Sequence, residues 1–218
     1  MALNINGTTG ISGVDGSVSA PAVTGTDSNT GITFPSADTI KFSTAGVERM
    51  AITNSGVSGI TAGITMADSW RITSHYTMTG TNLIQQLTAN WERSDTAAFT
   101  GIGSPMTESS GNFNFPQTGI YLVRFHMQAQ ATGGGLQAIG AMIRFKKGAS
   151  GSFTTQCQSQ DSGTANYYGS AMAEAIIDVT DAANDQVAFV VQGTASRQIL
   201  GNSDYARTGV IFIRLGDT

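Results

Sequence analysis

Short runs of apolar or alternating residues, separated by turn-forming residues, recur from about residue 34 to the end of this chain. Helix formers are scarce, since the 218 residues include 27 glycines and only 12% are charged. The pattern predicts an all-β protein whose antiparallel strands form a sandwich or jelly roll. Beyond residue 67, strands are expected at 83–91, 97–102, 112–116, 119–130, 136–147, 153–158, 166–179, 186–193 and 207–215.

Residues 1–33 lack the composition of a folded core. Lysine and arginine are absent up to residue 40, and the large apolar residues stand singly among Gly, Ser, Thr and Asn. Such a stretch is either disordered or ordered against another surface or other copies of itself. We expect an extended attachment segment. Its anchor candidates are Leu3, Ile5, Ile11 and Val14.

Residues 34–66 contain two alternating runs, at 39–43 and 47–52, each followed by a glycine-containing turn. The turn sequences Thr-Ala-Gly and Asn-Ser-Gly are typical of β-hairpins. Two or three short strands are therefore expected in this neck. So small a meander is marginal alone in water, which favours self-association.

Residues 67–218 form the predicted core domain, because both tryptophans and both histidines lie there. Two of its strands are apolar on both faces. Ile120 and Leu122 lie opposite an apolar set in one strand, and Ile211 and Ile213 do so in the last strand. A strand in a monomeric sandwich normally has one solvent-exposed face. The second face is therefore covered either by another copy or by a loop of the same chain.

Charge excludes some partners. The net charge is −4 and the 11 basic residues are scattered, which argues against nucleic acid or an anionic membrane as a partner. The start of the chain resembles no secretion signal, and there is no apolar stretch long enough to span a membrane. We expect a soluble product with one free thiol, Cys157, which fits assembly in a reducing cytoplasm.

Catalytic and metal-binding patterns are weak. His126 lies between apolar neighbours and His75 has no nucleophile motif near it, so neither indicates hydrolysis. Carboxylates at Glu92, Asp95, Glu108 and Glu174 are available for glycan cleavage, but their spacing in a β-rich chain predicts no pair. We expect no catalytic activity and no cofactor.

A cluster of acids at Asp178, Asp181 and Asp185 raises the question of calcium. Calcium prefers such oxygen ligands in flexible loops, but the spacing differs from an EF-hand. A solvated turn between two strands is the alternative.

Residues 38–56, DTIKFSTAGVERMAITNSG, resemble the repeat in the shafts of bacteriophage fibre proteins. The glycine-rich stretches at 7–16 and 25–32 are similar to the N-terminal parts of such proteins. One copy of the repeat is present. This resemblance implies a virion protein attached through its N-terminal segment to other virion proteins, made in the bacterial host cytoplasm and placed on the virion surface.

Residues 112–127, NFNFPQTGIYLVRFHM, resemble the Phe-x-x-Pro-x-x-Gly-x-Tyr-x-x-x-Phe signature of C1q and tumour-necrosis-factor-like (TNF-like) heads. Residues 185–191 and 205–215 resemble later strands of the same family. The resemblance implies a C1q/TNF-like jelly-roll head over 67–218 that forms a compact homotrimer. In a trimer, Ile120, Leu122, Ile211 and Ile213 are the interface candidates.

These resemblances lead to three hypotheses. The first is a non-enzymatic tail fibre or spike whose head faces a host surface glycan or protein. The second is a capsid decoration or head-fibre protein, and the third is a free carbohydrate-binding C1q-like module. For recognition the candidate residues are Asn166, Tyr167 and Tyr168, because Tyr and Asn supply stacking and hydrogen bonds at low entropy cost.

Overall fold

The computed structural model describes residues 4–6, 10–12, 15–59, 63–78, 84–95, 101–131, 137–163, 168–193 and 197–218. Contacts divide the chain into two units, unit 1 (Met1–Gly63) and unit 2 (Ile64–Thr218). Among the residues in these ranges, no helix is long and apolar enough to cross a membrane.

Unit 1 consists of short antiparallel strands: β1 (Asn4–Asn6), β2 (Gly10–Ser12), β3 (Gly16–Ser17), β4 (Ala20–Pro21), β5 (Val23–Thr24), β6 (Gly31–Thr33), β7 (Ile40–Thr44), β8 (Val47–Thr53) and β9 (Gly56–Ser58). Strands β5 to β9 form a meander in chain order, called here the neck sheet. It crosses the boundary predicted at residue 33, because Thr33 pairs with Lys41 on the next strand. The boundary predicted at residue 33 falls between two paired strands of one sheet, and the division into an attachment segment and a neck stays a prediction.

The turn between β7 and β8 follows the sequence prediction. Ala45 and Gly46 both have positive φ, 53° and 71°, as a two-residue hairpin turn requires. Three strands are found within 34–66, in agreement with the two or three expected.

Unit 2 contains the longer strands: β10 (Ala67–Ile72), β11 (Tyr76–Thr77), β12 (Ile84–Gln86), β13 (Trp91–Arg93), β14 (Thr107–Ser109), β15 (Asn112–Asn114), β16 (Gly119–Ala131), β17 (Gln137–Lys146), β18 (Thr154–Gly163), β19 (Tyr168–Val179), β20 (Gln186–Gly193), β21 (Arg197–Ile199) and β22 (Gly209–Gly216). They form two antiparallel sheets. The first has the order β13-β10-β22-β16-β19, with β21 and β11 added at one end of β16. The second has the order β14-β15-β20-β17-β18, with β12 on β20. The fold is an all-β jelly roll, as predicted.

An aromatic cluster fills the space between the two sheets. The fully buried Phe113 ring has its centroid 5.2–5.5 Å from the rings of four aromatic residues. These are Trp70, Trp91, Phe189 and Phe212. Offset and edge-to-face contacts of this kind add to the free energy gained from burial alone. The cluster fixes the positions of both sheets, and hence of the face described below.

The sequence predicted no strand at β10, β11, β14 or β21, and the single strand predicted at 83–91 is found as two, β12 and β13. Most of the strand predicted at 97–102 lies outside the described residues, and Ile102 forms an isolated bridge with Ala67. Strand β19 corresponds to the strand predicted at 166–179 and is described from Tyr168 onward; residues 164–167 lie outside the described residues.

Candidate functional site

The candidate site is the side of the first sheet of unit 2 that points away from the core, called here the outer face. On the inner side, Tyr121, Val123 and Phe125 are fully buried, as are Val210 and Phe212. On the outer face, the four predicted interface residues Ile120, Leu122, Ile211 and Ile213 are half-buried. The period-2 alternation of these two strands therefore places the side chains as the sequence indicated.

Cross-strand pairing aligns apolar side chains into one row across four strands. Leu122 on β16 pairs with Ile176 on β19 and with Ile213 on β22. Ile213 in turn pairs with Ala67 on β10. Directly opposed residues on one face of a sheet are close enough for their side chains to contact. We call this line of side chains the apolar row.

Two further apolar residues project from the outer face at β19. Ile176 is 70% exposed and Met172 is 55% exposed. Sequence reasoning missed both. The available signal was the alternation in β19, whose solvent positions should be polar but include a methionine and an isoleucine.

An apolar cleft of about 380 Å³ lies on the same outer face at its β10 and β22 end, away from β19. Ala67, Ser69, Ile211 and Ile213 line it, together with Asp68. The outer face therefore has projecting apolar side chains on one side and an apolar depression on the other.

A cross-strand ion pair lies beside the apolar row. Arg124 and Glu174 face each other on β16 and β19, with a shortest N–O distance of 2.6 Å. Both side chains are a little less than half exposed. Because each charge has its partner on this face, burial against another surface would leave neither of them unpaired.

His126 follows on the same face, two residues further along β16. Burial lowers the pKa of His126 below its ordinary value. The hydrogen bond with the backbone of Ala206 raises this pKa, but by less. The nearby Arg124 charge also lowers the pKa. The ring lines a cleft of about 650 Å³ with Met172, Tyr205 and Arg207 among its walls. A neutral imidazole is therefore favoured in this position.

Of the predicted recognition residues, Tyr168 alone is described. It is 57% exposed, and the Arg207 guanidinium lies 5.7 Å from its ring centroid, within cation–π distance. Asn166 and Tyr167 lie outside the described residues. The exposed Tyr205 ring lies in the same loop as Arg207.

The predicted anchor residues fall in unit 1. Ile5 on β1 pairs with Ile11 on β2 in a two-stranded hairpin. Leu3 and Val14 lie outside the described residues. The attachment role of the four residues stays a prediction.

Asp68 is the main structural residue that the sequence did not indicate. Its side chain is 1% exposed and accepts hydrogen bonds from Arg93 Nε at 2.7 Å, Trp70 Nε1 at 2.9 Å and the Met106 amide at 2.9 Å. Arg71, three residues further along β10, is also buried and donates hydrogen bonds to Glu92 and Asp95 at 2.9 and 2.7 Å. Two buried charges in six residues explain why β10 does not resemble a strand in the sequence.

The carboxylates considered for glycan cleavage all have structural partners. Glu92 and Asp95 bind Arg71, Glu174 binds Arg124, and Glu108 accepts a hydrogen bond from the Gly111 amide. The two histidines differ. His75 Nδ1 accepts a hydrogen bond from the Gly201 amide, whereas His126 lines the cleft.

The acidic loop is built around Asp185. This side chain is fully buried, not solvated, and accepts hydrogen bonds from the amides of Gly148, Thr180 and Asp181 at 2.7–3.1 Å. Asp178 is exposed on β19. Within the described ranges, no group of three or more His, Cys, Asp or Glu side chains is placed to hold a metal ion.

Comparison with known proteins identifies structures that share this fold. No protein-family model matches the chain, and no curated protein matches its sequence. Solved structures do match. The Eiger TNF of S. frugiperda is 16% identical, with a TM-score of 0.50 over 72% of this chain and 96% of its own. Murine APRIL is 12% identical, with a TM-score of 0.50 over 69% of this chain and 98% of its own.

At these identities the likeness concerns the fold, and unit 2 has a TNF-like jelly roll. The prediction of a C1q/TNF-like head is confirmed at this level.

Proposed function

We propose that the chain is a non-enzymatic structural module that assembles as a homotrimer through the outer face of unit 2. The observation that carries this proposal is the apolar row, which runs across four strands and ends in the 70% exposed Ile176. Complete burial of one such side chain is worth about 1.5–3 kcal/mol. The half-buried side chains contribute part of this value and the exposed Ile176 contributes most of it, and this burial supports assembly.

The shape of the outer face favours a ring. The projecting Met172 and Ile176 and the cleft lined by Ile211 and Ile213 are on different parts of the face. When one copy inserts its projection into the cleft of the next, the contact is heterologous, and such contacts close into rings when the rotation allows. The TNF-like fold supports a ring of three.

Charge substitution tests the interface. Ile176→Asp places an unpaired carboxylate in the proposed contact, and we expect the native mass by light scattering to fall to that of one 22.6 kDa chain. The matched control is Thr155→Asp, at an exposed position on β18 of the second sheet, which leaves the assembly unchanged. Retention of the assembly by Ile176→Asp, with unchanged circular dichroism, contradicts the proposed interface.

The finer proposal is a virion role. We propose that the trimer is a short phage fibre or spike, attached through unit 1 and presenting unit 2 to a host surface glycan or protein. The resemblance of residues 38–56 to fibre-shaft repeats supports it. The exposed Tyr168 and Tyr205 rings beside Arg207 offer stacking and hydrogen-bonding groups of the kind that bind sugars.

Antibody labelling of intact particles tests this role. Gold label at the tail agrees with the fibre or spike, whereas label over the capsid contradicts it and indicates a decoration protein. The absence of label from purified particles contradicts both virion roles.

A further inference from the structure

The cleft of about 650 Å³ lies at one end of the outer face of unit 2, where β16, β19 and the loop between β21 and β22 meet. Residues 200–208 form this loop. The volume is within the range of sites that bind small molecules. The two strands supply one set of walls and the loop the other, among them His126, Gln128, Ser170, Met172, Tyr205 and Arg207. The cleft therefore combines one cation with aromatic and neutral polar groups.

Arg207 is the cation, and it is half-buried. Its guanidinium lies 5.7 Å from the ring centroid of Tyr168. No carboxylate in the described part of the chain forms an ion pair with it. Asp204, the acid of the same loop, instead accepts a hydrogen bond from the Ser203 hydroxyl at 3.2 Å. Because a partly buried cation is stabilised by an opposite charge, the cleft is suited to an anionic group.

Hydrogen bonds hold the loop that carries Arg207. Asn202 Oδ1 accepts hydrogen bonds from the amides of Asp204 and Tyr205 at 2.7 and 3.1 Å. At the end of the loop, Thr208 is fully buried, and its hydroxyl oxygen accepts a hydrogen bond from the backbone amide of β16 at residue 128, at 3.1 Å. Groups that are already ordered lose less conformational entropy when a ligand binds.

The uncharged groups of the cleft fit a ligand rich in hydroxyl groups. Tyr205 in the cleft and Tyr168 beside the cation are both exposed, so their rings are open to stacking. Gln128 and Ser170 pair across β16 and β19, and their side chains donate and accept hydrogen bonds. Burial lowers the pKa of His126, so the imidazole adds no second charge. One cation with aromatic rings and neutral polar groups matches a sugar that has one carboxylate.

We propose that this cleft binds a sugar that carries a carboxylate. The Arg207 guanidinium binds the carboxylate through two parallel N–H···O hydrogen bonds, and the Tyr205 ring packs against the sugar ring. The inference rests on the proposed function for one point, that the partner is a glycan. All of these groups belong to one chain, and the 200–208 loop lies outside the apolar row through which the trimer is proposed to form.

A glycan array probed with the full-length chain tests the proposal. The array carries glycans that end in sialic acid or glucuronic acid, beside the same glycans without the acidic sugar. We expect binding to the acidic members and little to the neutral ones. In Arg207→Gln, the affinity for the best acidic glycan, measured by calorimetry, is expected to fall about tenfold or more. The matched control is Arg144→Gln, the same change at a half-buried arginine of β17 in the second sheet, for which affinity is unchanged.

A second variant covers the case in which loss of the guanidinium disturbs the loop. Tyr205→Ala removes an exposed ring, and we expect weaker binding of the same glycan with unchanged native mass and circular dichroism. Equal binding of acidic and neutral glycans, or unchanged affinity in both cleft variants, overturns the inference.

The same experiment separates this inference from the proposed function. Binding of neutral glycans alone refutes the acidic ligand and leaves a glycan as the partner. Tighter binding of a polyglutamate peptide than of any acidic glycan refutes the sugar and indicates an acidic protein as the partner. Binding of neither glycan nor peptide refutes the cleft as a recognition site, whereas an assembled native mass in the same sample leaves the proposed trimer in place.

Discussion

The buried carboxylate of Asp68 provides a quantitative test of how β10 is held in unit 2. Asp68→Ala removes the acceptor for the Trp70 indole and the Met106 amide, and it removes the carboxylate that accepts the hydrogen bond of Arg93 Nε. Each buried donor left unsatisfied costs about 1–3 kcal/mol. The Arg93 side chain is 34% exposed, so water solvates its charge and the lost ion pair adds little more. The donors share one site and are not additive. We therefore expect a loss of about 3 kcal/mol in the free energy of unfolding.

The assay is urea unfolding followed by tryptophan fluorescence, at one fixed chain concentration because assembly contributes to apparent stability. Asp68→Asn is the matched control. It keeps the shape and one acceptor oxygen, while the other oxygen becomes an NH2 group that cannot accept, so a smaller loss of about 1–2 kcal/mol is expected. A loss below about 1 kcal/mol for Asp68→Ala refutes the reasoning, since it means that water or relaxation satisfies these donors.

Three further predictions follow from single residues. The pKa of His126 is lowered in the folded chain, so the unfolded chain binds a proton more readily. The free energy of unfolding should therefore fall as the pH drops through about 6.5, and this fall should be smaller in His126→Gln. Urea midpoints measured between about pH 8 and pH 5 test this. Phe113→Ala leaves a cavity among four aromatic rings and should lower the free energy of unfolding by about 3–5 kcal/mol in the same assay, whereas a cost under about 1 kcal/mol contradicts the packing described. Ala45 occupies a left-handed turn position that asparagine tolerates better, so Ala45→Asn should raise the melting temperature measured by circular dichroism and Ala45→Val should lower it; the reverse order contradicts the turn assignment.

The sequence predicted those parts of the fold in which local pattern and local structure agree. The alternation around Ile120 and Ile211 placed one set of side chains in the core and the other on the outer face, and the structure has both. The hairpin at Ala45 and Gly46 was predictable because turn geometry depends on a few adjacent residues.

The parts that were missed depend on partners far along the chain. Strand β10 contains Asp68 and Arg71, and their burial becomes favourable only because Arg93, Glu92 and Asp95 supply opposite charges 21–25 residues later. Because the buried residues of β10 include two charged ones, its sequence lacks the hydrophobic alternation that would predict a strand.

The candidate site was predicted in part for a similar reason. The sequence placed Ile120, Leu122, Ile211 and Ile213 together on faces opposite the core residues, but it did not indicate the exposed Ile176. The interface role of these residues stays a prediction. The place of Ile176 in the apolar row follows from the register between β16 and β19, which pairs it with Leu122 across 54 residues of chain, from 122 to 176. Register is a property of the folded sheet and cannot be inferred from the sequence of one strand.

The central claim is that the outer face of unit 2 joins three copies. Sedimentation equilibrium of the full-length chain over a range of concentrations measures this most directly, because it gives mass independently of shape. The account predicts a mass three times 22.6 kDa that persists on dilution. A mass of one chain, or of two chains, at every concentration contradicts it.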